Sequence, residues 1–325
     1  TCEIICLERE VRDQSGVVTD SLAIQMQSIR DLSDVQVKAT SGLRRSFPLM
    51  IHYRTDAVAL PELPVRWVGA ELRALLSRRN RRSKVSAYLT SASELRRRLR
   101  VRRRTRVLAL LTGKDDELED LWGSQRSPLY AALRGCDVAL TTGPTYSVCA
   151  DTPRVPASHN TLMLHGRHHG IVHALGMQDL CAAPNIYWRN SSDIEAWSRF
   201  LQQNNHIAVV FRDFSRSKSR SSLAYHVDGL SKILSAAGRS LHVLACGVGP
   251  AGAEFVMREL ASVRATCTLV TAHPLIMATK RRRYVITSRG IIYRRSHWSA
   301  KCLAVVNMLT MERYLARIAR TLEGY

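Results

Sequence analysis

The chain has 325 residues, of which 46% are hydrophobic, so it can build one large domain or two ordinary ones with a substantial core. Its 48 Lys and Arg against 27 Asp and Glu give a net charge of +21, which points to a polyanionic partner, nucleic acid above all. No apolar run approaches about 18 residues, and the first ten residues lack the layout of a signal peptide, so no membrane span or membrane partner is expected.

The eight cysteines are scattered along the chain and form no C-x-x-C pair. This pattern is typical neither of a disulfide framework nor of a thiolate zinc site. We therefore expect a protein of the reducing cytoplasm with no metal and no cofactor. Nothing in the sequence indicates an obligate protein partner.

Residues 1–45 are predicted to be an N-terminal extension with one helix near 20–30. Beyond it, short apolar runs rich in β-branched residues alternate with helical patterns. Eight of these runs are predicted as strands: 48–55, 84–90, 106–113, 137–143, 184–190, 206–213, 241–249 and 266–274. Because the runs are apolar on both alternating faces, we expect a parallel sheet that is covered on both sides.

The segments between these runs are predicted as amphipathic helices. Two of them begin with a capping box, Ser91 with Glu94 and Ser192 with Glu195, and a third stops at Gly238. Eight strand–helix units over residues 46–275 predict an α/β protein, a (β/α)8 TIM-like barrel that forms the catalytic domain. A doubly wound open sheet is the alternative.

Residues 276–325 are predicted to form a basic β-hairpin and a C-terminal helix packed on the barrel. Two β-rich runs flank Ser288-Arg289-Gly290, which has the composition of a hairpin turn. A long helical pattern then runs from about 299 to 323.

Catalytic groups of a barrel gather at the carboxyl ends of its strands, where Asp151 and Asp213 are predicted to lie. A carboxylate stabilises or attacks the oxocarbenium-like cation that forms when a glycosidic bond breaks, and a second one activates water. The alternative is structural: Asp213 caps a helix or pairs with Arg212 or Arg216, and Asp151 pairs with Arg154.

Other strand ends supply side chains suited to a base or a sugar. The segment "PNIYWRN" (184–190) places Asn185 and Asn190 around Trp188, and such amides read base edges while aromatic rings stack on bases. Alternation along a buried strand nevertheless sends one of its two aromatic residues into the core. Lys114 is predicted to contact the sugar, with an ion pair at the start of a helix as its alternative.

The segment "CGVGPAG" follows a strand and precedes a helix, and it contains Gly247 and Gly249. It matches a dinucleotide motif, but the acid expected about 20 residues later is missing, so we interpret it as a phosphate-binding loop. His165, His169 and His173 share a helical face and could bind a metal, yet no further ligand residues complete that set.

Basic runs are predicted to hold the DNA backbone by tracking its phosphates. The residues assigned to this role are Arg189, Arg212, Arg216, Lys280, Arg281, Arg282, Arg283 and Arg294.

Three motifs carry a resemblance to a known family. "GKDDELEDLW" (113–122), "TTGPTYSVCADTPR" (141–154) with a later Asn160, and "PNIYW" (184–188) resemble the ordered motifs of a phage and bacterial domain family. The segment from 241 to about 275 is similar to the tRNA-guanine transglycosylase superfamily, whose fold is a (β/α)8 barrel acting on N-glycosidic bonds. The resemblance spans about 113–275 and is greatest to anti-phage DNA glycosylases.

The resemblance implies a site that contains Asp151, Asn160, Asn185, Trp188 and Tyr146. It also implies removal of glucosylated hydroxymethylcytosine from double-stranded phage DNA, which leaves an abasic site, with Arg154 offsetting charge on the leaving base. The zinc-binding C-x-C-x-x-C run of the transglycosylases is missing here, which argues against exchange of a guanine-type base.

Three alternatives remain open: a base-exchange transglycosylase that inserts a deazaguanine, a non-catalytic nucleic-acid-binding barrel, and a metal-dependent nuclease.

Overall fold

A computed structural model describes residues 32–40, 49–53, 62–63, 65–79, 82–122, 126–148, 160, 162–217, 219–288 and 290–322. The strands are β1 Leu49–Tyr53, β2 Trp67–Glu71, β3 Leu76–Arg79, β4 Arg82–Val85, β5 Arg106–Leu110, β6 Leu140–Thr142, β7 Ala182–Ala183, β8 Val209–Asp213, β9 His242–Cys246, β10 Thr266–Thr271, β11 Arg282–Thr287 and β12 Gly290–Arg295. The α-helices are α1 Leu72–Leu75, α2 Ala92–Arg98, α3 Asp115–Leu118, α4 Arg126–Gly135, α5 Gly170–Met177, α6 Ser191–Gln203, α7 Arg220–Ala236, α8 Pro250–Ser262, α9 His273–Thr279 and α10 Ala300–Leu322. Short 3-10 helices span Leu32–Asp34 and Glu119–Leu121, and a π-helix, Leu162–His169, leads into α5.

Eight strands form one parallel sheet in the order β7-β6-β5-β2-β1-β10-β9-β8, which confirms the α/β class. The first and last of these strands along the chain, β1 and β10, are neighbours in the sheet. The chain just after β7 also pairs with β8: the Ile186 N–H donates to the Phe211 carbonyl at 2.8 Å, and the Phe211 N–H donates to the Pro184 carbonyl at 2.9 Å.

The second predicted strand is misplaced. Residues 87–90 form a turn, and Lys84 and Val85 belong to β4, which pairs with β3 as a separate antiparallel hairpin. Its place in the sheet is taken by β2, whose sequence is WVGAE. Because Gly and Ala are depleted in strands, the composition of β2 does not predict a strand.

The side chains of the sheet strands divide between two buried clusters. Val68, Val107 and Val243 belong to a large cluster that includes helical residues such as Leu230 and Leu260. The buried members of the second cluster are all strand residues: Trp67, Leu108, Leu110, Leu140, Ala183, Val209, Phe211, Leu244, Cys246 and Val270. The sheet is therefore buried on both faces, as the apolar strands predict.

Helix termini follow local hydrogen bonding. The Glu94 N–H donates to Ser91 Oγ at 3.2 Å, which confirms the first predicted cap. The second predicted box is wrong, because α6 begins earlier and its N-cap is Asn190, whose Oδ1 accepts from the Asp193 N–H at 3.1 Å. Gly238 follows α7 with a φ of +69°, as expected for a glycine that ends a helix.

The hairpin β11–β12 and helix α10 lie where the sequence predicts them. Asn307 of α10 joins them: its Oδ1 accepts from the Tyr284 N–H at 2.8 Å, and its Nδ2 donates to the Arg282 carbonyl at 2.9 Å. The same amide donates to the Pro274 carbonyl at 3.3 Å, so one buried side chain ties the hairpin, α9 and α10 together.

The described part of the N-terminal extension is residues 32–40, which contact the start of β8. Thr40 Oγ1 accepts hydrogen bonds from the N–H groups of Ala208 and Val209 at 2.8 and 3.1 Å. The helix predicted at 20–30 lies outside the described residues, and the domain boundaries at 45 and 275 stay predictions. No helix in the described ranges has the length and apolar character needed to cross a membrane.

Gly229 of α7 offers a test of the packing around Trp188. A Cβ at this position would lie 2.2 Å from Trp188 Cζ2, and the indole is itself buried. We expect Gly229→Ala to lower the free energy of unfolding by about 1–3 kcal/mol through overpacking. Urea unfolding followed by circular dichroism measures this change.

The control for that variant is Gly135→Ala, at the end of α4, where a Cβ would meet nothing within 4 Å. Alanine favours helices over glycine, so this change should raise the free energy of unfolding by up to about 1 kcal/mol. Equal stability of the two variants would contradict the tight contact between α7 and Trp188.

Candidate functional site

A cavity of about 550 Å³ opens at the carboxyl ends of the parallel strands. The ends of β2, β8, β9 and β10 line it, together with the segments that follow β5 and β6. Five of the residues predicted for the site line this cavity: Lys114, Asp213, Arg216, Gly247 and Gly249. The sheet therefore brings together side chains that are far apart in the sequence.

Asp213 ends β8 and is half-buried. Its Oδ1 accepts from the Ser215 N–H at 2.8 Å, and its Oδ2 accepts from the Ser215 hydroxyl at 3.0 Å. Within the described ranges it forms no ion pair, so the alternative in which Asp213 pairs with Arg212 or Arg216 is not realised. This carboxylate is oriented and faces the cavity.

Glu71, at the end of β2, supplies a second carboxylate to the same cavity. Burial raises the pKa of the Cys246 thiol well above its ordinary value, and the charges of Asp213 and Glu71 raise it further. Cys246 thus stays protonated. Glu71 was not predicted as a site residue because β2 was not predicted as a strand. The sequence signal for Glu71 is that a carboxylate directly follows a short apolar run.

His273 is a further titratable group of the cavity that was not assigned to the site from the sequence. It begins α9 and lines the cavity, and its Nδ1 and the buried Tyr284 hydroxyl are hydrogen-bonded to each other. Burial and, to a lesser extent, the charge of Lys280 lower the pKa of His273. It is therefore neutral at pH 7.

The cationic side of the cavity contains Lys114, Arg73 and Arg216. Arg73 pairs with Glu117 at 2.7 Å, and Glu117 also accepts from the Lys114 N–H at 3.1 Å. The Lys114 ammonium forms no ion pair with a described carboxylate, so the helix-start pair considered for it is not realised. Arg216 is exposed.

Gly247 shapes the loop after β9. Its φ is +78°, and an added Cβ would lie 2.5 Å from the Ser215 nitrogen. Glycine is therefore required where this loop passes the segment that orients Asp213. Gly249 is the N-cap of α8, so backbone N–H groups lie at this edge of the cavity, as a phosphate-binding loop would need.

Arg212 is buried and not available to a DNA backbone, which corrects its predicted role. Its guanidinium is buried, donates to the Ile186 carbonyl at 2.7 Å and lies 4.7 Å from the Trp188 ring centre. It also bonds to His226 at 2.9 Å. Trp188 is correspondingly packed between Arg212 and α7 rather than offered to a base.

The contacts of Arg189 also argue against its predicted binding to the DNA backbone. Its guanidinium forms a buried ion pair with Asp193 at 2.7 Å and reaches His165 at 3.2 Å. Asn190 is the N-cap of α6 and is exposed, and its predicted contact to a base stays a prediction. Both residues hold the segment after β7 onto α6.

Tyr146, Asn160 and Asn185 are buried and lie outside the lining of the cavity. The Tyr146 hydroxyl donates to the Leu118 carbonyl at 2.9 Å, and Asn185 Nδ2 donates to the Pro144 carbonyl at 3.1 Å. Their places in the core correct the direct contacts to base or sugar that were predicted. Asp151 and Arg154 lie outside the described residues.

A second polar group surrounds Asn185. The Asn185 N–H donates to His168 Nε2 at 3.2 Å, and the His168 ring meets the Tyr187 ring edge-on at 5.1 Å. Burial lowers the pKa of His168 well below its ordinary value, so the ring is neutral. Asn185 Oδ1, His168 Nδ1 and the Tyr187 hydroxyl find no hydrogen-bond partner among the described atoms.

The predicted backbone-binding residues of the hairpin are all exposed: Lys280, Arg281, Arg282, Arg283 and Arg294. The hairpin adjoins the cavity, because His273 of the cavity wall packs against Tyr284 and Tyr293 of the hairpin at ring distances of 5.9 and 5.6 Å. The predicted contact of these exposed residues to a DNA backbone stays a prediction.

The histidines of the π-helix do not form a metal centre in the described part of the chain. His165 and His169 are 5.0 Å apart between ring centres, while His173 Nδ1 accepts from the Gln36 N–H at 3.2 Å. Nowhere in the described ranges do three His, Cys, Asp or Glu side chains gather to hold a metal ion. A metal-free and cofactor-free site stays a prediction.

No family model matches the chain, and no curated protein is significantly similar to it.

Proposed function

We propose that the protein is a DNA glycosylase that hydrolyses the N-glycosidic bond of a modified base and leaves an abasic site. The observation that carries this proposal is the cavity of about 550 Å³ with Asp213 and Glu71 on its wall and the basic hairpin beside it. Ligand pockets span about 300–1,000 Å³, so an extruded nucleotide fits the volume. The net charge of +21 favours a nucleic-acid substrate.

The proposal includes a closed (β/α)8 barrel. Two observations support closure: the hydrogen bonds that join the segment after β7 to β8, and the buried cluster whose members all come from strands. An open doubly wound sheet has helices on both faces, so a cluster without helical residues favours a barrel interior. The cavity then lies where barrel enzymes place their active sites.

In the proposed reaction, the bond between C1′ and the base nitrogen breaks, and the base leaves with the bonding electrons and takes up a proton from solvent. Asp213 stabilises the oxocarbenium-like cation at C1′, and Glu71 accepts a proton from the water that attacks it. Asp151, assigned by the resemblance, is an alternative to Glu71 in the second role. Water is the only co-reactant and no oxidation state changes, so the step needs no redox cofactor, and we propose it without a metal.

The substrate and setting rest on the family resemblance. We propose glucosylated hydroxymethylcytosine in double-stranded phage DNA as the target, which would make the protein an anti-phage defence enzyme of the cytoplasm. The five cysteines in the described residues are free thiols, which supports a reducing compartment.

The test is incubation with unmodified DNA and with DNA that contains glucosylated hydroxymethylcytosine, followed by alkali and a denaturing gel. Alkali-dependent strand breaks in the modified DNA alone support base excision. Breaks that appear without alkali and vanish with a chelator would indicate a nuclease. Salt-sensitive binding without breaks in either DNA would indicate a binding module.

A further inference from the structure

The arginines of the hairpin oppose each other across its two strands. Arg282 pairs with Arg295, and Arg283 pairs with Arg294. All four are exposed, and none forms an ion pair with a described carboxylate. Like charges directly opposite each other destabilise a hairpin, and a bound polyanion removes that cost.

Exposed aromatic rings accompany these arginines. The Tyr293 side chain is 37% exposed although its ring packs at 5.5 Å against Tyr284, and Trp298 is 45% exposed with the Arg283 guanidinium 4.8 Å from its ring centre. Phosphates alone would be bound by arginines without such rings. Aromatic faces beside cations are the arrangement that binds unpaired nucleic-acid strands, because bases stack on the rings.

Tyr293 connects this surface to the cavity. Alternation along β12 puts it on the same face as Arg295 and Arg282, and its ring lies 5.6 Å from His273 of the cavity wall. A strand held by these arginines therefore passes the mouth of the cavity. In a duplex the neighbouring base pairs cover each base, so Tyr293 could stack only where the strand is opened.

We infer that the β11–β12 hairpin binds an unpaired strand of nucleic acid, with Arg282 and Arg295 on its phosphates and Tyr293 stacked on a base next to the cavity. This inference rests on the proposed function only in that nucleic acid is the ligand. It changes the expected substrate from an intact duplex to a single strand or a locally opened one.

The test is fluorescence anisotropy with fluorescein-labelled oligothymidylate of about 20 nucleotides, alone or annealed to oligoadenylate. We expect tighter binding of the single strand. Tyr293→Leu keeps apolar bulk over Tyr284 but removes the aromatic face, and it should weaken single-strand binding by about tenfold. Tyr293→Phe should bind within about twofold of the unchanged protein, as should Ile292→Ala on the other face of the hairpin.

The phosphate contacts are tested separately, by the salt dependence of binding. Replacing Arg282 and Arg295 together by Gln should reduce the slope of log binding constant against log salt concentration by about 1.4, since each lost contact to a single strand accounts for about 0.7. Equal or tighter binding of the duplex, or unchanged affinity of Tyr293→Leu, would overturn the inference. The probes contain no modified base, so a failure of base excision leaves this experiment unaffected. A failure of single-strand binding likewise leaves the base-excision test unaffected.

Discussion

Replacing Asp213 by asparagine is expected to slow base excision by about a hundredfold to a thousandfold, the usual cost of losing one group that stabilises transition-state charge. Asparagine has nearly the same shape and retains an oxygen to accept from the Ser215 N–H, so the loss would come from the missing negative charge and not from misplacement. Single-turnover rates on DNA with glucosylated hydroxymethylcytosine, read from alkali-labile sites, measure it.

The matched control is Asp228→Asn. Asp228 is an exposed aspartate of α7 that pairs with Lys232 at 2.7 Å, and it lies outside the cavity lining. This variant should excise at the rate of the unchanged protein. A rate for Asp213→Asn within about threefold of that control would contradict the catalytic assignment of Asp213.

The largest effect on stability is expected at Asp193. Its ion pair with Arg189 is largely buried, with side-chain exposures of 7% and 13%, so removing the carboxylate would take a close anionic partner from a guanidinium that is largely withdrawn from water. We expect Asp193→Asn to lower the free energy of unfolding by about 3 kcal/mol or more. Urea denaturation at pH 7 provides the measurement.

The Lys232–Asp228 pair has the same i,i+4 spacing but is exposed, so Asp228→Asn again serves as the control. It should lower the free energy of unfolding by less than about 1 kcal/mol. Adding Arg189→Gln to Asp193→Asn should cost less than the sum of the single changes, because the two residues interact. Additive costs would contradict the pairing.

The same pair predicts a pH dependence. Burial alone would raise the pKa of Asp193, but hydrogen bonds from Arg189 outweigh it and the pKa lies below its ordinary value. A carboxyl whose pKa is lowered on folding contributes stability above its unfolded pKa of about 3.9 and loses that contribution as the pH falls through the folded value. The difference in stability between the unchanged protein and Asp193→Asn should therefore shrink below about pH 4.

Prediction from the sequence succeeded for helices and strands whose local residue pattern agrees with their burial in the structure. The hairpin, α10 and six of the eight sheet strands combine apolar periodicity with turn or cap residues, and they lie where they were expected. The strand predicted at 184–190 is wrong, because β7 is Ala182–Ala183 and only Asn185 of that run forms an isolated bridge, with Phe211. β2 was missed because its Gly69 and Ala70 carry no strand preference, and its burial comes from neighbours far away in the sequence. Glu71 was therefore not predicted as a site residue.

The candidate site was predicted in part for a related reason. Strand-end position was enough to find Asp213, and a glycine pattern was enough to find Gly247. Sequence cannot show that the arginine of "VVFRD" is buried, because its partner His226 lies 14 residues away on a helix. Arg212 and Arg189 therefore resembled surface cations until their contacts were known.

Base excision is tested most directly by mass spectrometry of small molecules released from DNA that contains glucosylated hydroxymethylcytosine. We expect the free glucosylated base to appear in step with alkali-labile sites, and Asp213→Asn to reduce both by about a hundredfold or more. Intact DNA with no released base, at protein concentrations that saturate binding, would contradict base excision.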